Sequence, residues 1–324
     1  MVKVIVAITT FNLEQYIQEA LDSVLAQETS FEYKIVVADD CSQDNTLKIL
    51  QNYRMKYPEK IVVLASNKNK GSLANSNRIF EDLQCEYFTF LDGDDYWVGN
   101  DRLQRQVDFL EQNPMYMMCA GNTQYLKNGV LADYVVDKRK LGKSYTFDDM
   151  INERMPFFHT SSILVRNTIF KNGLLKCYKD AESTFENCAL RGEDFRRIIH
   201  LEQGPLYAME DTLSVYRIHE NGIWQGSTNL KRMLEATIGF NFYAKFFGNK
   251  YGDYFIVKRN ELYKELMKIM VVDKDILSSY ILTEKESELF LSLLKDMRTT
   301  GLEPTKSYLK NIFVNLFFCI YKRF

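Results

Sequence analysis

The sequence predicts an α/β fold: a mostly parallel, Rossmann-like sheet flanked by helices, with a C-terminal helical extension. Three observations predict it. Strand-like and helix-like patterns alternate through the first hundred residues. The strand-like runs are continuously apolar, as strands covered on both faces are. Beyond residue 228 the pattern is helical alone.

"VKVIVAIT" is a β-branched strand, and "EQYIQEALDSVLAQ" follows with apolar residues at helical spacing. "YKIVVADD" is the next strand, and "NTLKILQNYRMKYP" a helix that ends before Pro58. "KIVVLAS" and "SLANSNRIFEDLQ" repeat the unit, and "EYFTFLD" closes it as a fourth strand. Open sheets of this kind bind ligands beyond the carboxyl ends of their strands. Here those ends carry Thr9, Thr10 and Phe11, then Asp39 and Asp40, then an acidic cluster at Asp92. After residue 228, "NLKRMLEATIGFNFYAKFFG", "YFIVKRNELYKELMKIM" and "EKESELFLSLLKDMRTTG" read as helices without a catalytic motif.

Composition excludes several functions. The 324 residues are 46% hydrophobic and 14% aromatic, enough for a large core. Basic and acidic residues nearly cancel, 41 against 43, so nothing suggests the basic stripe of a nucleic-acid binder. Six scattered cysteines form no CxxC pair, which fits a reducing compartment. "MVKVIVAITT" lacks the features of a secretory signal, and no uncharged apolar run reaches roughly 18 residues. The expected location is cytoplasmic.

The segment "YFTFLDGDDYW" sets Asp92, Asp94 and Asp95 together at a strand end. Carboxylates crowded this way repel until a cation neutralises them. "ITTFNLEQY" has no glycine and no GxxxxGK[ST] occurs, so neither a dinucleotide turn nor a P-loop is present. A divalent cation, Mn²⁺ or Mg²⁺, bridging carboxylates to a diphosphate is the remaining arrangement. In an extended segment, alternation puts Asp92 and Asp94 on one side and Asp95 on the other. Read alone, the cluster also fits a solvated turn rich in Asp. Asp39-Asp40 also fits turn chemistry with Ser42, and Glu193-Asp194 a helix start with capping acids.

From residue 3 to about 225 the chain resembles an inverting family-2 glycosyltransferase of the GT-A fold. "AITTFNLEQYIQEALDSVLAQ" is similar to that family's opening strand, turn and helix. "IVVADDCSQDNT" resembles its VDDxSxDxT signature, with Cys41 where glycine is common, and "FLDGDDYW" resembles its DxD region. "RGEDFRRI" resembles its later acidic pair, and "YRIHENGIW" the segment that closes over the donor.

The resemblance implies a domain over 1–228, with a nucleotide-sugar half (1–100) and an acceptor half (101–228), and an extension over 229–324. It implies that Thr9 and Phe11 border the base, and that Asp39, Asp40, Asn77, Asp92, Asp94 and Trp224 serve the nucleotide sugar. Asp40 would accept from a uracil-type N3–H. Asp94, Asp95 and His219 would hold the metal. Asp194 would be the general base, with Glu193 orienting substrate. Many relatives carry Ala-Arg-Asn where this chain reads Asn75-Ser76-Asn77, which leaves Lys70 or Arg78 to supply the missing cation. His200 reads as structural, and His159 precedes a strand near the expected acceptor side.

The implied partners are a nucleotide-diphosphate sugar, UDP-linked, and a saccharide or lipid-linked saccharide acceptor in surface polysaccharide synthesis. A nucleotidyltransferase, or a catalytically silent sugar-nucleotide or glycan-binding subunit, are the alternatives. The tail "KSYLKNIFVNLFFCIYKRF", residues 306–324, carries aromatic and basic residues suited to peripheral contact with the inner face of the plasma membrane. A helix buried on the catalytic domain or in a homodimer is the other reading of that tail.

Overall fold

The computed structural model describes residues 2–184, 186–220 and 229–272. Trp224 and the tail 306–324 lie outside the described residues. The chain divides into two compact units, residues 1–183 with 190–225 and residues 184–189 with 226–324.

The first unit begins with β1 (Val2–Thr10), α1 (Ile17–Leu25), β2 (Tyr33–Asp39), α2 (Thr46–Lys56), β3 (Ile61–Ala65), α3 (Ser72–Phe80) and β4 (Cys85–Asp92). It continues with β5 (Tyr96–Trp97), α4 (Arg102–Gln112), β6 (Met118–Lys127), β7 (Val130–Tyr134), β8 (Lys143–Tyr145), α5 (Phe147–Ile151), β9 (Ile163–Arg166) and α6 (Lys176–Ala181). A short α7 (Asn187–Leu190) falls mostly in the second unit, and α8 (Glu193–Leu201) and the long β10 (Leu206–Ile218) complete the first. The strands form one sheet in the order β3-β2-β1-β4-β9-β6-β10-β5, with β7 on β6 and β8 on β10.

The first four strands are parallel throughout, as their continuous apolar character predicts. Val4, Val6, Ala7 and Ile8 of β1 and Ile35 and Val37 of β2 are wholly buried. In α1 the positions Ile17, Ala20, Leu21 and Val24 are also wholly buried, the i, i+3, i+4, i+7 stripe of a helix packed on a sheet. Beyond β4 the sheet becomes mixed. β9 runs antiparallel to both β4 and β6, while β6 and β10 are parallel to each other. Short strands and a bulged register between Ala208 and Ser214 replace the clear alternation of the first half.

A buried arginine ties the sheet to α4 beneath the strand ends. Arg102 donates to Thr89 Oγ1 (3.1 Å), Gln106 Oε1 (2.9 Å) and the Ser161 carbonyl, and stacks 3.9 Å over Trp97. All three acceptors are neutral, and burial lowers its pKa to about 9.

The second unit contains α9 (Asn229–Phe247) and α10 (Gly252–Val272). Phe240, Tyr243, Phe247 and Phe255 pack ring against ring between them. No described helix is long and apolar enough to cross a membrane.

Candidate functional site

Register brings the first polar strand ends together. Thr9 of β1 lies beside Asp92 of β4, and Thr10 beside Asp39 of β2. The carboxylate of Asp39 accepts from the Ser42 amide (3.1 Å) and hydroxyl (2.5 Å), so this residue builds the turn after β2. The same turn holds Cys41 at φ 66°, the left-handed region that favours glycine. Asp40 reaches the other way, accepting the Lys70 and Gly71 amides at 2.8 Å each. It thereby fixes the loop that enters α3. Phe11 stands exposed at the rim.

Arg78 donates to the carbonyls of Asp39 (3.2 Å) and Ala65 (2.8 Å) and to Asn75 Oδ1 (2.9 Å). Its fork fastens strand ends. Asn77 does not join the strand-end group expected of it. Its amide donates to Glu182 Oε1 (2.7 Å) and the Tyr178 carbonyl (3.3 Å), because this face of α3 packs against α6.

The acidic cluster is a turn. The Asp95 amide donates to the Asp92 carbonyl (3.0 Å), and the Gly93 amide to the Thr9 carbonyl (3.1 Å). A Cβ at Gly93 would sit 3.0–3.2 Å from Leu13, Ile17 and the Thr9 carbonyl, so a side chain there would push the turn a few tenths of an ångström off β1. The turn corrects the alternation argument. Chain reversal gathers Asp92 with Asp95 and turns Asp94, still within their electrostatic reach, towards His219.

Asp94 Oδ2 lies 2.9 Å from His219 Nε2, just beyond β10. Asp95 is 1% exposed; its Oδ1 accepts the Arg217 amide (3.0 Å) and its Oδ2 lies 3.6 Å from His159 Nδ1. One ligand atom each from Asp92, Asp95 and His159 falls within 4.8 Å of the others. His159 stacks on Tyr216 at 4.5 Å, shares a 2.6 Å hydrogen bond with Ser161 Oγ, and is held neutral by burial, which lowers its pKa to about 4. His200 is structural, as expected: it is fully buried against Phe88 and Phe170, with Nδ1 2.6 Å from the Arg196 carbonyl.

Electrostatics mark the turn as the strained centre. Desolvation, then the charges of Asp94 and Glu193, raise the Asp92 pKa to about 7, with Arg196 opposing. Burial and the charges of Asp94 and Asp92 raise Asp95 well above the usual range. Glu193 is also raised, by burial and by Asp194. Asp194 projects into solvent from the first turn of α8 and pairs with Arg197. Hence Asp92, Asp94, Asp95, Glu193 and His219 form one interacting group, with Asp194 at its edge.

The donor set suits a hard divalent cation. It offers carboxylate oxygens and imidazole nitrogen, and buried Asp95 Oδ2 and His219 Nδ1 have no hydrogen-bond partner among the described residues. Arg217, Arg196 and His159 are the neighbours that residue patterns understated. "YRIH" and "PFFHTSS" contain two of them, but only pairing across the sheet shows what they meet.

The family model described as Glycosyl transferase family 2 matches residues 5–174, more than half of the chain. A protein of Mycobacterium tuberculosis is 27% identical over 230 residues, 71% of this chain, and the chain spans 63% of that relative's length. TuaG of Bacillus subtilis, assigned as a teichuronic acid biosynthesis glycosyltransferase, is 29% identical over 219 residues, 66% of this chain and 78% of TuaG. Among solved structures, Staphylococcus aureus TarS residues 1–349 with UDP-GlcNAc aligns at a TM-score of 0.53 and 17% identity, covering 89% of this chain and 83% of that one. The mannosyltransferase PcManGT of Pyrobaculum calidifontis, in complex with GDP-Man and Mn²⁺, aligns at 0.54 and 15%, covering 99% and 86%. These likenesses bear out the GT-A fold. With sheet, acidic turn and matched residues in agreement, the chain belongs to glycosyl transferase family 2.

Proposed function

We propose that this protein is a metal-dependent, inverting glycosyltransferase. It moves a sugar from a nucleotide-diphosphate donor, UDP-linked, to a glycan or lipid-linked saccharide in surface polysaccharide synthesis. The observation that carries the reading is the meeting of Asp94 with His219, beside Asp92 and Asp95 and within the electrostatic reach of Glu193. TarS and PcManGT, solved with nucleotide sugars, support the donor class. The name of TuaG supports the polysaccharide context.

Each residue has a part. Asp94 and His219, with Asp95 of the same turn, would hold Mn²⁺ or Mg²⁺, and Asp92 and His159, whose ligand atoms lie within 4.8 Å of that of Asp95, are further donors. When bound, the ion offsets the charge of the diphosphate leaving group. Thr9 and Phe11 border the base, and Asp39 keeps the loop beneath it in shape. Each oxygen of Asp40 already accepts one amide, yet a carboxylate has about four lone-pair sites, so capacity remains for a ring N–H. Asp194 takes the acceptor hydroxyl's proton as that oxygen attacks the sugar, and Arg197 holds its carboxylate in place. Glu193, between Asp194 and Asp92, orients substrate. A second reading exchanges the acids: burial and the Asp194 charge raise the Glu193 pKa, which strengthens its carboxylate as a proton acceptor.

The test is transfer from a panel of nucleotide sugars with Mn²⁺ or with chelator, using Asp194→Asn and Glu193→Gln. Loss of general-base catalysis should lower turnover by roughly 10²–10⁴-fold with donor binding kept. Parental turnover in Asp194→Asn with loss in Glu193→Gln would move the base to Glu193. Donor binding without turnover by the parent protein would make it a silent binding subunit.

A further inference from the structure

The acidic turn is gripped by one residue that the proposed chemistry leaves without a part. Arg217 is the penultimate residue of β10, and its side chain is 16% exposed. Its amide donates to Asp95 Oδ1 at 3.0 Å. Its Nε donates to the Asp94 carbonyl at 2.9 Å. The rest of the guanidinium pairs with Glu19 of α1. Its Cζ lies 4.8 Å from the ring centre of Tyr16 and 5.7 Å from that of Tyr96. Tyr16 in turn lies 4.8 Å from the His219 ring.

We infer that Arg217 is a positioning residue for the cation-binding turn. It fixes the peptide between Asp94 and Asp95, so that one carboxylate meets His219 while the other stays buried. This consequence rests on the proposed metal-dependent reading; the grip on the turn does not. Three physical points support it. The turn is held upstream by Gly93 on Thr9 and downstream by β5 pairing with β10 at Ser214 and Val215; between them the Asp94–Asp95 peptide has its N–H on the Asp92 carbonyl and its carbonyl on Arg217. A guanidinium stays charged and presents its donors in a rigid plane, so it holds a carbonyl and a carboxylate at once in one fixed geometry, which an ammonium on a flexible stem does not impose. The Arg217 charge also faces the Asp95 carboxylate, whose Oδ1 accepts the Arg217 amide, and so offsets part of the repulsion Asp95 meets in the turn.

The competing account makes Arg217 a surface ion pair with Glu19, which is half exposed. The experiment separates them with Arg217→Met, Arg217→Lys and Glu19→Gln. Hydrogen exchange of the metal-free protein is followed in peptides covering residues 91–97, and Mn²⁺ affinity is measured by the paramagnetic resonance of free Mn²⁺. In Arg217→Met the amides of Gly93 and Asp95 should exchange about tenfold faster with β1 unchanged, and Mn²⁺ should bind roughly 10–100-fold more weakly, the usual cost of losing an outer partner of a metal site. Arg217→Lys should fall between, and Glu19→Gln should stay near the parent.

Parental exchange and affinity in Arg217→Met would overturn the inference. So would acceleration spread evenly over the sheet, which marks a merely structural role. If Glu19→Gln reproduces the whole effect, the ion pair and not the grip on the carbonyl is responsible. Should Arg217→Met fail to fold, Arg217→Lys decides on the same two readouts. A parent protein that binds no Mn²⁺ refutes the metal-dependent reading, while the exchange rates still decide the grip.

Discussion

Replacing Asp92 by Asn should stabilise the metal-free protein, and by more as the pH rises. In the folded state desolvation and the neighbouring Asp94 and Glu193 hold the Asp92 pKa at about 7, against an ordinary 3.8. The folded protein therefore binds more protons than the unfolded chain between these values, and stability is lost as pH climbs through them. Three units at about 1.4 kcal/mol each set a ceiling near ~4 kcal/mol. Asp92 keeps some solvent contact and shares its repulsion with the other acids, so about 1–3 kcal/mol is the expected gain. That amounts to several degrees in Tm, at roughly 2–4 °C per kcal/mol for a domain of this class. His159 and His200, both lowered to about 4, act with the opposite sign: their contribution is lost as pH falls from 6.5 towards 4. Burial, not the Asp92 charge, is the main cause of both shifts, so they contribute nearly equally to the two proteins. The assay is thermal unfolding of parent and Asp92→Asn in chelator, from about pH 4.5 to about pH 8, followed by Mn²⁺ addition at the upper end. The Tm difference should grow with pH, then shrink with Mn²⁺. A difference that ignores pH, or a variant less stable than the parent at about pH 8, would refute the reasoning.

Asp94→Ala should remove most Mn²⁺-dependent UDP binding in calorimetry, and binding that is undiminished in chelator would count against the metal's part. Cys41→Gly should raise stability by up to about 1 kcal/mol, since the left-handed cost of roughly 1–2 kcal/mol exceeds the entropy glycine adds to the unfolded chain; a lower urea midpoint would show that the Cys41 side chain matters more than its backbone. Deleting residues 306–324 should abolish salt-sensitive co-sedimentation with anionic liposomes and spare transfer to a soluble acceptor, whereas a lowered Tm without any sedimentation of the intact protein would place that segment in a core or a dimer.

Local patterns carried much of this protein. Continuous apolar runs and the stripe at Ile17, Ala20, Leu21 and Val24 specify the first four strands and their helices, because burial on one face or two leaves its period in the sequence. The strand-end positions of Thr9, Asp39, Asp40 and Asp92 follow directly, as does the Asp39–Ser42 turn, whose partners are three residues apart. Other features lay beyond that reach. Asp94 meets His219 across 125 positions, and the Arg217 amide meets Asp95 across 122, contacts set by how β5 and β10 pair. The mixed half of the sheet, with β9 antiparallel between β4 and β6, combines short strands with a long β10 whose register against β6 is bulged, so its pairing leaves no simple pattern. Asn77 looked like a ligand by its place in a motif, yet packing of α3 on α6 turned its amide to Glu182. The turn at Gly93 overrode simple alternation and brought Asp92 to Asp95. Residue types and short spacings show which chemistry is available; only the long-range pairing of strands decides which carboxylate faces which partner, because that choice is made by backbone hydrogen bonds that carry no side-chain signature.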